Sequence, residues 1–197
     1  MVKKFLFIML PLIMSVVFWG CAKVPQVEID NAQAAMEAAK SAEADRYLAS
    51  EFNALQDSLT TALADVEAQK SKFALTRSYS SATEKLVQIT QNADSLKGMV
   101  VARKEQLRAE VNQKVIEYAN VLKETKALLA KAPRGKETRA VIESMNNDIK
   151  AIDASFAEVK TFLDKDDVLS AKERVDSSIA KLQAIQNELN AAIAKKG

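Results

Sequence analysis

The single cysteine of this 197-residue chain, Cys21, is the residue whose type and position most clearly carry chemistry. It follows two lysines, Lys3 and Lys4, an almost unbroken apolar run over residues 5–19, and the small residue Gly20. A basic start, an apolar stretch and a small residue before the cut are the parts of a secretory signal. Cleavage after Gly20 would make Cys21 the new amino terminus and present its thiol for modification.

The placement of Gly20 directly before Cys21 resembles the lipobox of bacterial lipoproteins. The resemblance implies that residues 1–20 are removed as a signal peptide, that the Cys21 sulfur is diacylated, and that the new amino terminus is acylated. Stable anchoring needs more than one acyl chain, so palmitate-like chains at this residue would hold the protein on a bilayer. Ala22 stands where inner-membrane lipoproteins of enteric bacteria carry Asp. The resemblance therefore implies the outer membrane, with the chain facing the periplasm.

Two other interpretations of this segment stay open. The first is an uncleaved membrane anchor, but the apolar run has 15 residues, which make about 22 Å of helix against a hydrocarbon core of about 30 Å. The second is a plain secretory signal, which needs a small residue, any residue and a small residue before the cut. Phe18, Trp19 and Gly20 do not supply that pattern. The lipoprotein interpretation is therefore favoured.

The other residue types exclude most catalytic chemistry. Histidine is absent from the sequence, which removes the commonest general base, the commonest metal ligand and every Ser-His or Cys-His pair. The four glycines are isolated from one another, so no glycine-rich phosphate loop can form. We therefore expect neither enzymatic activity nor a cofactor.

Carboxylates remain as possible ligands, and the densest group is Asp164, Asp166 and Asp167 around Lys165. Weak calcium binding is one interpretation, although the group lacks the ligand spacing and the glycine of a calcium loop. The favoured interpretation is a turn between two helices, with acidic residues at the start of the second helix, where the helix dipole stabilises negative charge. We expect no metal site here.

Two basic groupings are predicted to lie on helices. They are Lys70, Lys72 and Arg77, and separately Arg103, Lys104 and Arg108. Acidic residues occur in the same regions, which favours solvated helix faces over contact with an anionic polymer. The whole chain carries a formal net charge of +2, which loss of the two lysines of the signal would reduce to zero. A balanced chain has no global attraction to nucleic acid, so no nucleic-acid partner is expected.

Few residues interrupt helices in this chain, which has 4 glycines and 3 prolines. Together with abundant Ala, Leu, Lys and Glu, this predicts an all-α fold, an elongated antiparallel helical bundle of about five long, coiled-coil-like helices. Apolar residues at spacings of three and four predict a first helix from Ile29 and a second with Ser50 as its N-cap.

The third predicted helix begins near Ser78, either with that residue as its cap or with a capping box that starts at Ser81. Its apolar stripe extends through Leu129, which predicts a helix of about 50 residues, with Gly98 as its one weak point. Residues 132–135 predict a loop, and two more apolar stripes, over residues 141–163 and 168–193, predict the last helices. Five aromatic residues are expected to pack in the core along these stripes: Tyr47, Phe52, Phe73, Tyr79 and Tyr118.

The predicted organisation has four parts. Residues 1–20 form a lipoprotein signal peptide, and residues 21–28, which include Pro25, form an extended tether. Residues 29–131 form an N-terminal helical region, and residues 136–197 form a C-terminal helical hairpin. The last three residues, Lys195, Lys196 and Gly197, are expected to be a solvated helix end rather than a site of attachment to peptidoglycan.

The stretch over residues 47–54, followed by Leu55, Leu59 and Ala62, resembles an uncharacterised family of Ala-rich helical bacterial envelope lipoproteins that is known only as a domain of unknown function. The resemblance covers about residues 30–97. It implies an all-helical envelope protein with no known activity.

These observations predict a lipid-anchored periplasmic lipoprotein with a structural or protein-interaction role, lipidated at Cys21 and presenting a helical surface to a partner. The expected partners are the membrane, through the N-terminal lipid, and either another envelope protein or a second copy of the chain. One alternative is an accessory subunit or ligand carrier of an envelope machine, which would need a cavity between helices. Another is a carboxylate-dependent cell-wall hydrolase, which would need paired acids in a shared cleft.

Overall fold

The computed structural model describes residues 23–133, 135 and 138–194. The predictions for Cys21, for the signal peptide and for residues 195–197 lie outside the described residues. The described ranges hold helices and no strand, so the predicted all-α fold class is confirmed. The helices are α1 (Gln26–Ser41), α2 (Ala44–Tyr47), α3 (Ala49–Lys70), α4 (Ser80–Lys131), α5 (Arg139–Phe156), α6 (Glu158–Asp164) and α7 (Val168–Ala194), with a 3-10 turn (Ala74–Thr76) between α3 and α4.

The chain forms two compact units, Met1–Val100 and Val101–Gly197, and the division falls inside α4. The sequence predicts a division at residues 131–136 instead. The structure differs because the apolar stripe of α4 continues beyond the part of α4 that packs against α1 and α3. Leu86 and Leu96 are buried in unit 1, whereas Leu107 and Tyr118 are buried in unit 2. The second half of α4 thus belongs with the helices that follow it.

Unit 1 packs α1, α3 and the first half of α4 side by side. Helices α1 and α3 are antiparallel, since residues 33–40 and residues 52–63 line one groove and the short segment with α2 joins them. Helices α3 and α4 are also antiparallel, as shown by the ion pair between Asp65 and Lys85, 2.7 Å. Buried alanines on all three helices allow close approach of their backbones: Ala32, Ala39, Ala62, Ala82 and Ala93.

Unit 2 packs the second half of α4 with α5, α6 and α7. Helix α7 lies against both α5 and α6, and its apolar stripe is buried from Val168 to Leu189. The Gln186 side-chain amide donates a hydrogen bond to the Val121 carbonyl oxygen, 3.2 Å, which ties α7 to α4. The Tyr118 ring stacks on Phe156 with centroids 3.6 Å apart, which ties α4 to α5.

Three predicted helix starts are wrong by one or more residues. Helix α1 begins at Gln26, so the last residues of the predicted extended tether are helical. Helix α3 begins at Ala49 after Leu48, and Ser50 is inside its first turn, where it cannot be the N-cap. Helix α4 begins at Ser80, and the Tyr79 carbonyl accepts the first helical hydrogen bond, from Thr83, 2.8 Å. The N-cap position of α4 is therefore Tyr79, not a serine.

The lengths of two later helices also bear on the predictions. Helix α4 has 52 residues and continues through Gly98, so the predicted long helix is confirmed and the predicted weak point does not interrupt it. The helix predicted over residues 141–163 is instead divided at Ala157 into α5 and α6. Ala157 keeps helical dihedral angles, φ −58° and ψ −22°, and its amide donates to the Ser155 carbonyl oxygen instead of continuing the helical pattern.

Four of the five aromatic residues predicted to be in the core are buried: Tyr47, Phe52, Tyr79 and Tyr118. The prediction for Phe73 is wrong, because its side chain is 72% exposed. Phe73 continues the seven-residue spacing from Val66, but α3 ends at Lys70 before that spacing can act. The backbone of Phe73 is extended, φ −59° and ψ 137°, so the helical spacing no longer applies to its side chain.

Candidate functional site

The candidate site lies at the end of unit 1 where the chain enters the first helix. Lys23, Val24 and Pro25 lead into α1, and the Gln26 amide donates a hydrogen bond to the Val24 carbonyl oxygen, 2.8 Å. Four residues separate Cys21 from Gln26 in the sequence, a segment that spans at most about 17 Å when extended. Any group attached at residue 21 is therefore held close to this end.

The helix lengths place the C-terminal end of α3 at this same end. Helix α1 has 16 residues and α3 has 22, and the two are joined at the opposite end by residues 42–48. At 1.5 Å per residue, α3 reaches the level of Gln26 and extends up to about 9 Å beyond it. The connector from Ser71 to Tyr79, which follows α3, accordingly lies at the chain-entry end of unit 1.

Hydrogen bonds hold the connector in a defined conformation. The Ser71 amide donates to the Glu67 carbonyl oxygen, 3.2 Å, and closes the last turn of α3. The Arg77 guanidinium Nε donates to the Lys72 carbonyl oxygen, 2.9 Å. The Ser78 amide donates to Gln69 Oε1, 3.2 Å. The two ends of the connector are thereby fixed to α3, and the 3-10 turn projects between them.

The projecting turn carries large apolar side chains toward solvent. Phe73 is 72% exposed and Leu75 is 70% exposed, whereas the side chains of the helical stripes beside them are buried. We refer to residues 70–77 as the apolar-basic tip, because Lys70, Lys72 and Arg77 flank the two apolar residues. This basic grouping was predicted on a helix, and only Lys70 is helical. The remaining two cations belong to the connector.

The ionic contacts of the tip are sparse. Lys70 pairs with Glu67 one turn earlier, 2.6 Å, and its side chain stays 39% exposed. The Lys72 side chain is exposed, and Arg77 is half-buried because its guanidinium folds back on the connector backbone. An exposed pair of this kind contributes little free energy, so the Lys70 ammonium can exchange its partner for an external anion.

The acidic turn between α6 and α7 is occupied by internal contacts. Asp166 accepts hydrogen bonds from Lys104 Nζ and from Arg108 Nη2, both 2.7 Å. Asp164 pairs with Lys160, 2.7 Å. The Asp167 carboxylate accepts a hydrogen bond from the Ser170 amide in the first turn of α7, 3.4 Å. These carboxylates serve a helix-to-helix turn, as the favoured interpretation has it.

The electrostatics of this turn follow from the same contacts. The hydrogen bond from Lys104 to Asp166, followed by the charges of Lys104 and Arg108, lowers the pKa of the Asp166 carboxyl below its ordinary value. A carboxylate held by two cations is a poor ligand for a further cation. Within the described ranges, no three or more carboxylate, histidine or cysteine side chains are grouped as a metal site requires.

The second basic grouping is likewise engaged within unit 2. Lys104 and Arg108 contact Asp166 as described, and the Arg103 guanidinium donates a hydrogen bond to Gln106 Oε1, 3.0 Å. The Lys104 side chain is only 16% exposed. This grouping therefore stabilises the packing of α4 on the turn after α6.

A groove of about 860 Å³ lies in unit 2 between the last turns of α4 and helix α5. It contains two carboxylates, Glu143 and Asp153, which are ten residues apart on α5, or about 15 Å along the axis. A glycoside hydrolase needs its two carboxylates within about 5 to 9.5 Å of one another. Asp153 also accepts a hydrogen bond from the Tyr118 hydroxyl, 3.0 Å, and pairs with Lys126, 3.4 Å.

The Tyr118 hydroxyl that binds Asp153 holds its proton more tightly than a free phenol. Burial, together with the hydrogen bond to Asp153, raises the pKa of the Tyr118 phenol far above its ordinary value. A phenol with a raised pKa is a weaker proton donor at neutral pH. Tyr118 and Asp153 therefore act as a structural hydrogen bond between α4 and α5.

Within the described part of the chain, no helix combines the length and the apolarity that crossing a membrane requires. Comparison of the sequence with protein-family models and with curated proteins, and comparison with solved structures, gives no match.

Proposed function

We propose that this protein is a lipid-anchored lipoprotein of the bacterial envelope, attached at Cys21 to the outer membrane and facing the periplasm. In this proposal residues 1–20 are a signal peptide, and the two helical units present a surface to an envelope protein or to a second copy of the chain. The role is structural or adaptor-like and involves no catalysis.

The observation that carries the proposal is the position of Cys21 between an export signal and the start of the fold. The cysteine directly follows the apolar run and Gly20, and only four residues lie between it and α1. Among the described residues, the buried apolar side chains of unit 1 begin at Ile29. A lipid on Cys21 would leave a short tether and then a folded helical unit.

The described helices support a structural role over the alternatives. The unit 2 groove contains Glu143 and Asp153 too far apart for a hydrolase pair, and Asp153 is held by Tyr118 and Lys126. The walls of that groove mix charged and amide side chains with the apolar side chains of Leu129, Ile142 and Ile149, and a ligand carrier would instead use a concave, mostly apolar site with few polar groups. The central positions of both units are instead closed by Ala, Leu, Ile and Val.

Fatty-acid labelling in a bacterial host tests the anchor. The wild-type chain should incorporate a labelled fatty acid and sediment with the envelope, and the mass of the purified protein should show loss of residues 1–20. Because Trp19 is the only tryptophan, the mature protein should also lack tryptophan fluorescence. Cys21→Ala should abolish the label, whereas the neighbouring control Lys23→Ala should keep it.

Two results would contradict the anchor. Labelling of Cys21→Ala to the wild-type level would show that the lipid is attached elsewhere. Tryptophan fluorescence in the purified wild-type protein would show that the signal segment is retained.

Chemical crosslinking in intact envelopes, followed by mass spectrometry, addresses the partner. A structural or adaptor role predicts crosslinks to one defined envelope protein or between copies of the chain, and these should weaken in Cys21→Ala because that variant is displaced from the membrane. A chain that crosslinks to no protein in the labelled envelope fraction would contradict the interaction role while leaving the anchor intact.

A further inference from the structure

We propose that the apolar-basic tip of unit 1, residues 70–77, is a second membrane contact. Phe73 and Leu75 would enter the interfacial layer of the bilayer that carries the lipid anchor, and Lys70, Lys72 and Arg77 would contact anionic headgroups. This inference rests on the proposed anchoring at Cys21. It adds residues 70–77 as a membrane-binding surface, anionic lipid as the ligand, and an orientation of unit 1 with this end toward the bilayer.

The placement of the tip is the first argument. Lipid at Cys21 fixes the chain at the bilayer surface, and the segment to Gln26 spans at most about 17 Å. The tip lies at the same end of unit 1 as Gln26, because α3 runs antiparallel to α1 and is longer than it. The anchor and the tip therefore reach the same surface without any change in the fold.

The exposed side chains are the second argument. Phe73 and Leu75 are each at least 70% exposed on a connector whose two ends, at Ser71 and Ser78, are hydrogen-bonded to α3. Isolated exposed apolar residues are ordinary on protein surfaces, but these two project together from a loop at one end of the unit. An aromatic and an aliphatic side chain on a projecting turn suit the boundary between headgroups and acyl chains.

The charges of the tip are the third argument and decide which occupant is favoured. The segment from Lys70 to Arg77 holds three cations and no carboxylate, although the mature chain as a whole is electrically balanced. Basic residues near an anionic membrane surface are each attracted to it. A second copy of this tip would instead bring like charges together, so charge complementarity favours a lipid surface over self-association.

Site-specific fluorescence on the full lipidated chain tests the proposal. Thr76→Cys introduces a thiol at the tip without replacing Phe73 or Leu75. It removes the hydrogen bond from the Thr76 hydroxyl to the Phe73 carbonyl oxygen but keeps the one from the Thr76 amide to the same oxygen, 2.9 Å. The matched control is Ser50→Cys, an exposed residue near the start of α3, roughly 30 Å from the tip end along the helix. Each purified protein is labelled with an environment-sensitive dye and reconstituted into vesicles of phosphatidylethanolamine containing a minority of phosphatidylglycerol.

The expected result is a several-fold rise in emission, with quenching by spin-labelled lipid, for the dye at position 76 and no change for the dye at position 50. Adding Phe73→Asp and Leu75→Asp to the Thr76→Cys protein should return the emission to the level in water. Both residues are exposed, so these changes leave the helical content, measured by circular dichroism, unaltered. Vesicles without phosphatidylglycerol should give a weaker response.

Three outcomes would overturn the inference. A dye at position 76 that stays in water, or dyes at both positions that respond alike, would show that the tip makes no specific contact with lipid. A response at position 76 that appears without vesicles and grows with protein concentration would assign the tip to a second copy of the chain.

The wild-type chain is treated with the same dye, which shows whether a negative result comes from the tip or from the absence of the lipid anchor. A thiol that carries a lipid cannot react with the dye, so an unlabelled wild type with a silent tip rejects this inference alone. A labelled wild type would overturn the proposed lipidation and, with it, a tip that depends on the anchor.

Discussion

Asp166 combines a left-handed backbone with two ion pairs, and substituting it separates the two contributions. Its φ is +59°, a region that Asn and Gly tolerate better than Ala. Its carboxylate contacts Lys104 and Arg108, both at 2.7 Å. Asp166→Asn should remove the charge and keep a residue that tolerates the left-handed conformation. Asp166→Gly should remove the charge and also the strain of a side chain in that conformation. Asp166→Ala should lose both the charge and the tolerance for the left-handed conformation.

The expected changes in the free energy of unfolding follow from the solvent exposure of Asp166. The Asp166 side chain is 56% exposed, so solvent screens its ion pairs with Lys104 and Arg108. Each ion pair contributes about 0.2 to 1 kcal/mol to the free energy of unfolding. We expect Asp166→Asn to cost about 1 kcal/mol, and Asp166→Ala to cost roughly 2 kcal/mol because a left-handed alanine adds about 1 kcal/mol. Asp166→Gly should lie closest to wild type.

The pH dependence identifies the electrostatic part. Since the hydrogen bond from Lys104 lowers the pKa of Asp166 in the folded protein below 3.8, the unfolded chain binds that proton more readily. The stabilisation is therefore complete above the unfolded pKa and is lost as the pH falls through the lowered folded pKa. The difference between wild type and Asp166→Asn should be constant near neutral pH and vanish once the pH lies below the lowered folded pKa of Asp166.

Urea unfolding followed by circular dichroism, at neutral and at acidic pH, measures these differences for the three variants. If Asp166→Asn costs as much at low pH as at neutral pH, the carboxylate charge is not what stabilises the turn. If Asp166→Gly is less stable than Asp166→Ala, the left-handed conformation assigned to this residue is wrong.

Three further predictions concern single residues in the helices and their turns. Glu43 has φ +66° after the end of α1, where glycine is usual, so Glu43→Gly should raise the unfolding midpoint in urea, whereas Glu43→Ala should not. A Cβ at Gly98 would meet no atom within 4 Å, so Gly98→Ala should stabilise α4 by about 0.5 to 1 kcal/mol, measurable as a higher melting temperature. Tyr118→Phe removes the hydrogen bond to Asp153 and should cost about 1 kcal/mol in urea unfolding, whereas an unchanged midpoint would show that solvent replaces that bond.

The apolar stripes of the sequence predict the buried residues well because the side chains that face the interior recur with the period of the α-helix. The Ala-rich stripe from Ile29 to Ala39 and the stripe from Val168 to Leu189 are buried as their spacing predicts. The small residues mark where two backbones approach closely. Gly98 does not interrupt α4, which continues to Lys131, because one glycine in a helix interior costs only about 1 kcal/mol.

Helix ends were harder to predict because this chain seldom uses the usual terminal residues. Leu48 and Tyr79 stand at N-cap positions, although serines lie within two residues of each. Glu43 and Asp166 adopt the left-handed conformation that glycine usually supplies. Backbone hydrogen bonds and packing fix these ends, and such contacts become visible only after the helices are placed against one another.

Phe73 shows how a wrongly predicted helix end changes the functional interpretation. Seven residues after Val66, it would lie on the buried stripe if α3 continued, and burial of a phenylalanine side chain contributes roughly 1.5 to 3 kcal/mol. The helix instead ends at Lys70, where the Ser71 amide and the Gln69 side chain close it, and Phe73 turns outward with Leu75. The fold therefore forgoes the burial of two large apolar side chains at one end of unit 1. An apolar surface outside the protein can recover that free energy, and a bilayer held beside this end by Cys21 would be within reach of both side chains.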